Sequence, residues 1–277
     1  MASIVTSTLK QSNFSWRAGA QWTVAPGAML YANVSKGYKA GSFPLITATT
    51  YPQFSPVTQE SLLAYEAGFK VGLFNRTLQI SGAAFYYDYT NKQILGSVLL
   101  PVFGRINRLI NIPKSHVSGV ELAISAAPAK GLRISASGTY IVAKVADTFM
   151  NYTPFGVLID FKGQRLPNTP KWQLSGDAEY KIPASDQLNY FVGGNVSYQS
   201  AANSAFGGLA FFRTKPYALL DLRAGVETSD GKWRASVWGR NVTNTYYWTA
   251  ATQVQDTIVR YTGMPATYGV SLSLRYR

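Results

Sequence analysis

The last eleven residues, Thr267 to Arg277, read T-Y-G-V-S-L-S-L-R-Y-R. Tyr268, Val270, Leu272, Leu274 and Tyr276 alternate with Thr267, Gly269, Ser271, Ser273, Arg275 and Arg277, so one face is apolar with aromatic ends and the other is polar and basic. Successive side chains of a strand point to opposite faces, and about ten residues cross a bilayer at a tilt, so the segment suits a strand of a transmembrane β-barrel. A half-buried strand of a soluble sheet alternates in the same way. The choice depends on how many such segments there are and how they are joined.

Working back from the C-terminus, the same alternation recurs in ten further segments. Phe14 to Val24 turns at A-P-G (25–27) into Ala28 to Lys36, and Tyr65 to Val71 turns at Asn75-Arg76 into Thr77 to Asn91. Val120 to Ser125 turns at A-K-G (129–131) into Leu132 to Tyr140, and Lys171 to Lys181 turns at A-S-D-Q (184–187) into Tyr190 to Gln199. Leu220 to Val226 turns at S-D-G (229–231) into Trp233 to Arg240. Between these hairpins lie long connections at about 40–58, 92–111, 146–168, 201–215 and 246–264. Eleven strands with five short turns strictly alternating with five long loops match the asymmetry of an outer-membrane barrel, short turns on the periplasmic side and long loops outside. In A-A-F-Y-Y-D-Y (83–89) the parity blurs, and Phe85, Tyr86, Tyr87 and Tyr89 read as an interfacial girdle around a bulge.

Composition agrees. Charged residues make up 14% of the 277, well below the roughly 25% of soluble domains, while Tyr (18) and Phe (14) are plentiful. The net charge of +13 comes from bases scattered singly, with no run of five or six, which argues against nucleic acid as a partner. The absence of cysteine removes disulfides, thiolate metal sites and cysteine nucleophiles. No apolar run reaches the ~18 residues of a membrane helix, so any crossing is made by strands. The expected fold class is therefore all-β, an antiparallel transmembrane β-barrel portion of about 11 strands. With the first connection short, the C-terminus is expected in the periplasm and the chain's start outside. An odd count with ends on opposite sides leaves an open edge, so the chain reads as part of a barrel.

Several stretches resemble, in order and spacing, the C-terminal half of the barrel of TonB-dependent outer-membrane receptors: S-K-G-Y-K-A-G-S-F (35–43), Y-E-A-G-F-K (65–70), A-A-F-Y-Y-D-Y (83–89), S-G-V-E-L (118–122), L-P-N-T-P-K-W (166–172), G-R-N-V-T-N (239–244) and the terminal Y-G-V-S-L-S-L-R-Y. The resemblance implies a 22-stranded barrel filled by an N-terminal plug, which imports scarce ligands such as ferric siderophores with energy delivered by TonB through that plug. On this reading residues 1–277 are the C-terminal part of such a barrel, in a bacterial outer membrane, with the plug, the TonB-contacting segment and the other barrel half absent. Its partners are outer-membrane lipid, those missing parts and a small iron chelate, with TonB reached only through the plug. The family pattern also implies an aromatic last residue, whereas here Tyr276 is penultimate. The alternative function is a plugless passive pore or surface-binding barrel.

The polar strand face carries Arg17, Lys36, Glu66, Lys70, Glu121, Arg133, Lys171, Asp177, Glu179, Asp221, Arg223, Arg234, Arg240 and Arg275. Arg or Lys facing lipid near the midplane costs roughly 2 to 4 kcal/mol, so these are expected to face the lumen, attracting anionic ligands or packing against a plug. Ligand-contact candidates are the loop aromatics Tyr152, Phe155, Phe206, Phe211, Phe212, Tyr246, Tyr247 and Trp248, which offer large contact area at low entropy cost. His116 is the only histidine, and with no cysteine it supports neither a zinc site nor a His-activated nucleophile. No catalytic residue, cofactor or metal ligand is assigned.

Overall fold

The computed structural model describes residues 7–43, 55–100, 104–254 and 256–275. Eleven strands pair edge to edge in one antiparallel sheet: β1 (Trp16–Ala25), β2 (Ala28–Lys39), β3 (Glu60–Leu73), β4 (Leu78–Leu100), β5 (Gly104–Ala129), β6 (Leu132–Val145), β9 (Trp172–Pro183), β10 (Leu188–Gln199), β13 (Tyr217–Thr228), β14 (Trp233–Arg240) and β17 (Thr267–Leu274). Three small pairs lie in the connections: β7 (Met150–Tyr152) with β8 (Leu158–Asp160), β11 (Ala202–Asn203) with β12 (Arg213–Thr214), and β15 (Trp248–Val254) with β16 (Thr257–Thr262). No helix of the described residues is long and apolar enough to cross a membrane, which says nothing of crossing by strands.

Each strand pairs with its sequence neighbour because the turns are chemically suited to it. Gly27, Gly131 and Gly231 take φ of 81°, 81° and 69°, and Phe74, Asn75 and Arg76 are all left-handed at 51°, 54° and 66°. Two-residue periodicity then sorts the side chains. On β17, Tyr268, Val270, Leu272 and Leu274 are 70%, 79%, 68% and 62% exposed, and the same outward face carries Trp22, Leu30, Val120, Leu174, Val192 and Leu222. Its aromatic residues bound the band. In β9 Trp172 and Tyr180, and in β10 Tyr190 and Tyr198, stand eight residues apart, roughly 26 Å along the strand and about 20 Å in height at barrel tilt, the scale of an outer-membrane apolar belt. Tyr276 lies outside the described residues.

Three sequence expectations are corrected. Residues 92–100 and 104–111 are not an irregular loop: they pair from Lys92↔Ile112 to Leu100↔Gly104, so β4 and β5 run on as a hairpin of 23- and 26-residue strands. At about 3.3 Å per residue such strands are far longer than a bilayer requires, and their ends stand clear of it. The two-residue spacing of Ile110 and Ile112 about Asn111 is the sequence signal for this extension. The 83–89 segment holds no bulge, since Ser61↔Thr90 to Leu73↔Leu78 is an unbroken register. Its aromatics divide by parity, Tyr86 beside Tyr65 on the outward face at 6.5 Å, and Phe85 stacked on Tyr87 at 4.9 Å on the polar one. Finally, Lys36 pairs with Trp16 and Leu63, which places it on the outward face rather than the polar one.

On the polar face glycines make room for large neighbours. A Cβ at Gly193 would lie 2.9 Å from the Arg223 guanidinium, and one at Gly269 would lie 2.3 Å from the Trp238 ring. At Gly225 it would lie 2.1 Å from the Ala235 carbonyl oxygen and 2.7 Å from the Phe191 ring. Gly225→Val should therefore lower stability by about 1 to 3 kcal/mol or prevent folding, whereas Val270→Leu on the outward face should be neutral. Urea unfolding in detergent micelles, followed by tryptophan fluorescence, measures both.

Candidate functional site

The buried apolar core lies at the long-loop end of the sheet. Ile112, Ala143, Val145, Phe149, Phe161, Leu166 and Phe206 form one cluster, with Phe161 stacked on Phe206 at 4.7 Å and Phe149 set 5.9 Å from each. Phe212, Trp248 and Ala251 form a second. The loops are tied down by their own polar groups. Asp160 Oδ1 accepts hydrogen bonds from the backbone N–H of Phe149 (2.8 Å) and of Lys162 (2.9 Å), and these bonds hold its carboxyl below the usual carboxylate range. Asn241, left-handed at φ 47°, donates from Nδ2 to the carbonyls of Thr245 and Met264 and accepts from Thr245 N–H, closing the base of the β14–β17 loop.

Between the clusters opens a cleft of about 650 Å³ whose lining comes from four connections: Ile94 and Ile110 of the β4–β5 hairpin, Phe149, Asn151 and Tyr152, then Phe206 and Phe212, then Gln253 and Tyr261. None of its lining residues is charged. Its walls are aromatic and aliphatic, with amide and phenol groups as the polar contacts, a chemistry suited to the organic framework of a ligand rather than to a bare ion.

Of the loop aromatics expected at a ligand, Tyr152, Phe206 and Phe212 line this cleft. Phe155 and Phe211 lie beside it, 6.1 Å apart edge to face, and both are exposed. Tyr247 packs on Tyr217 at 4.5 Å, outside the cleft, and Trp248 is buried with the Arg260 guanidinium 4.6 Å over its ring. Tyr246 is 75% exposed and outside the lining. Sequence reading missed Phe149, Phe161, Ile94, Ile110, Gln253 and Tyr261. The β4–β5 residues carried a strand signal; the others sit in segments with no periodicity to read.

Among the charges, Asp177, Glu179, Arg223 and Arg234 meet on the polar face of β9, β13 and β14. Arg223 donates to both Asp177 oxygens at 2.7 and 2.9 Å and to Glu179 at 2.9 Å; Arg234 donates to Glu179 and Glu227, each at 2.8 Å, and lies 3.5 Å over Phe191. Lys181 also pairs with Glu227. Asp221 accepts from Asn241 N–H at 2.8 Å. Arg17, Lys70, Glu121, Arg133 and Arg240 share that face by register, and none of them forms an ion pair among the described residues; Arg240 lies 5.2 Å over Trp238. His116 stands on the outward face, its Nε2 3.3 Å from Asp88 and its ring 5.3 Å from Tyr86, and no cluster of metal-ligating side chains occurs among the described residues.

The sheet, its two-sided chemistry and its alternating connections are those of a β-barrel portion. Residues 2–242 match the family model described as TonB dependent receptor-like, beta-barrel, and the chain belongs to that family, whose members reside in bacterial outer membranes. Solved structures with the same fold include the ferric yersiniabactin uptake receptor FyuA from Yersinia pestis (TM-score 0.74, 19% identity, 94% of this chain and 37% of that one). Others are the ferric-catecholate import receptor Fiu from E. coli K12 (0.66, 16%, 93% and 34%) and the ferripyoverdine receptor of the Pseudomonas aeruginosa outer membrane (0.63, 21%, 92% and 32%). The chain thus spans about a third of the length of these receptors.

Two outcomes test this description. Glu179→Ala leaves two half-buried guanidiniums facing each other and should cost about 1 to 2 kcal/mol after allowance for solvent screening, read from the urea midpoint. Asp160, with its depressed pKa, contributes loop stability above the ordinary carboxylate range and loses it as pH falls below that range. Hydrogen exchange at the Phe149 and Lys162 amides should therefore speed up on acidification after correction for intrinsic rates, and Asp160→Asn should weaken that dependence.

Proposed function

We propose that this chain is the C-terminal part of the barrel of an outer-membrane receptor that imports a ferric siderophore, with its loop-end cleft supplying part of the ligand site. The observation that carries the reading is the uncharged, aromatic-lined cleft of about 650 Å³ held by four connections at one end of a membrane-scaled sheet. Family membership supports the import role, and the neighbouring structures are receptors whose own ligands are ferric siderophores. The division of labour is electrostatic and steric. Tyr152 and Tyr261 stack against the ligand's organic shell, with the buried Phe206 and Phe212 holding the wall behind them, while the arginine-bearing face of the strands turns toward the lumen and attracts the negative charge that iron chelates commonly carry. Energy coupling through a plug and TonB belongs to the complete receptor. No chemistry is performed on the ligand.

The measurement is titration of the chain in detergent with a panel of hydroxamate, catecholate and mixed-donor chelates, each with and without iron, followed by tryptophan fluorescence. One ferric chelate should quench saturably, its iron-free form more weakly, and Tyr261→Ala or Tyr152→Ala should raise its Kd about tenfold. Indifference to the whole panel would overturn the reading. Stable unitary conductance from the purified chain in planar bilayers would instead favour a passive pore.

A further inference from the structure

The outward face changes character above its aromatic belt. Direct cross-strand partners point to the same side of a sheet, and one row runs Trp16, Lys36, Leu63, Asp88, His116, Lys144 across six strands and ends on Arg165, bridged to Lys144. Two residues nearer the membrane the row reads Ala18, Val34, Tyr65, Tyr86, Ser118, Val142, with the girdle tyrosines Tyr65 and Tyr86 at its middle. Cations therefore stand on the lipid side of the sheet, one step beyond its aromatic boundary. Asp88 pairs with His116 and with Lys114 in this region, but Lys144, Arg165 and Lys171 form no ion pair among the described residues.

Those three bases line one cleft of about 670 Å³ together with Tyr140, Val142, Gly163, Gly207 and Gly208; Lys171, expected on the polar face, lies in the bend just before β9 and is brought to this cleft instead. Arg165 donates one hydrogen bond, to the Thr169 carbonyl at 2.6 Å, while its Nε is buried without a partner, and burial lowers its pKa from the ordinary guanidinium value. That is the cost of desolvating a cation, which an anion in the cleft would offset. Directly below, and sharing Tyr140, an apolar groove of about 620 Å³ runs down the outward face past Ala84, Val120, Ala136 and Leu174, where small side chains leave a trough. Basic cleft and apolar groove are continuous through one tyrosine.

We propose that this surface is a binding site for a single phosphorylated membrane lipid, its headgroup phosphate held by Lys144, Arg165 and Lys171 and an acyl chain laid in the groove below Tyr140. The site adjoins the loop-end ligand cleft, with Ala205 in both linings, but none of the three bases lines that cleft. Planar N–H forks and ammonium groups suit phosphate, and an interfacial tyrosine beside Trp172, at 4.6 Å, marks the depth at which headgroup gives way to chain. A free phosphate would use the bases alone; the groove selects the lipid.

The inference rests on the outer-membrane reading of the fold, and the test separates the two. The full chain is purified in detergent and examined by native mass spectrometry with phosphatidic acid, with phosphatidylcholine of identical chains, or with inorganic phosphate, and quenching by brominated lipid establishes that it is embedded. Phosphatidic acid should be retained in a one-to-one adduct, at least tenfold over phosphatidylcholine. The substitutions Lys144→Gln, Arg165→Gln and Lys171→Gln combined should abolish that preference, and Lys10→Gln with Lys162→Gln should not. Excess inorganic phosphate should leave the adduct in place. An embedded wild-type chain that retains both lipids equally, or whose adduct inorganic phosphate removes, overturns the lipid site alone. A chain that brominated lipid fails to quench overturns the membrane reading and this site with it. If the triple variant misfolds, the wild-type comparison still decides.

Discussion

Backbone hydrogen bonding is the constraint on which everything else here depends. In hydrocarbon an unpaired N–H or C=O costs several kcal/mol, so a chain that crosses by strands must give each strand a neighbour on both sides. From β2 to β14 it does so, with registers that shift only beside the β1–β2 and β5–β6 turns. A slip of one residue would exchange the faces wholesale, putting Arg223 where Leu222 stands. The hydrophobic pattern and the register therefore enforce each other, and left-handed residues at Gly27, Phe74–Arg76, Gly131 and Gly231 set the phase at the end of four of the five hairpins.

That phase creates two environments. The outward face has no need of shape complementarity, because lipid conforms to it, and Ala, Gly, Val and Leu alternate there without forming a packed core. The polar face is the more exacting. Arginines must be accommodated as well as neutralised, and Gly193 and Gly225 provide the space into which Arg223 and Phe191 extend. Arg223 and Arg234 share Glu179, so the carboxylate fixes both forks across β9, β13 and β14. Some of the bases on this face lack a partner, and the surplus agrees with the net charge of +13.

The strands could be read from sequence because period two is a local signal. Thr267 to Leu274 and Leu132 to Tyr140 were unambiguous for that reason. The upper β4–β5 hairpin is not legible locally, because the polar run Asn91-Lys92-Gln93 breaks the pattern although the pairing continues beyond a left-handed Asn91 (φ 55°). Lys36 departs from the expectation that charge marks the polar face, because a cation beyond the aromatic belt carries no midplane penalty. The cleft was half visible. Tyr152, Phe206 and Phe212 drew notice as loop aromatics, but nothing local distinguishes them from Tyr247, which packs on Tyr217, or from Phe149, whose burial depends on segments 12 and 57 residues further along.

The location of the core has a functional consequence. In a soluble domain the sheet would be the packed centre and the loops its mobile fringe. Here the sheet turns its apolar face outward, and the two largest fully buried side chains, Phe161 and Phe212, belong to the connections. The long loops are thus folded against one another by the same burial that stabilises ordinary cores, with Asp160 and Asn241 closing their hydrogen bonds. A cleft built between two such clusters keeps its shape before any ligand arrives, so binding there needs little new ordering of the loops. On the proposed function, affinity then comes from contact with Tyr152 and Tyr261, backed by the buried Phe206 and Phe212, rather than being spent on folding the site.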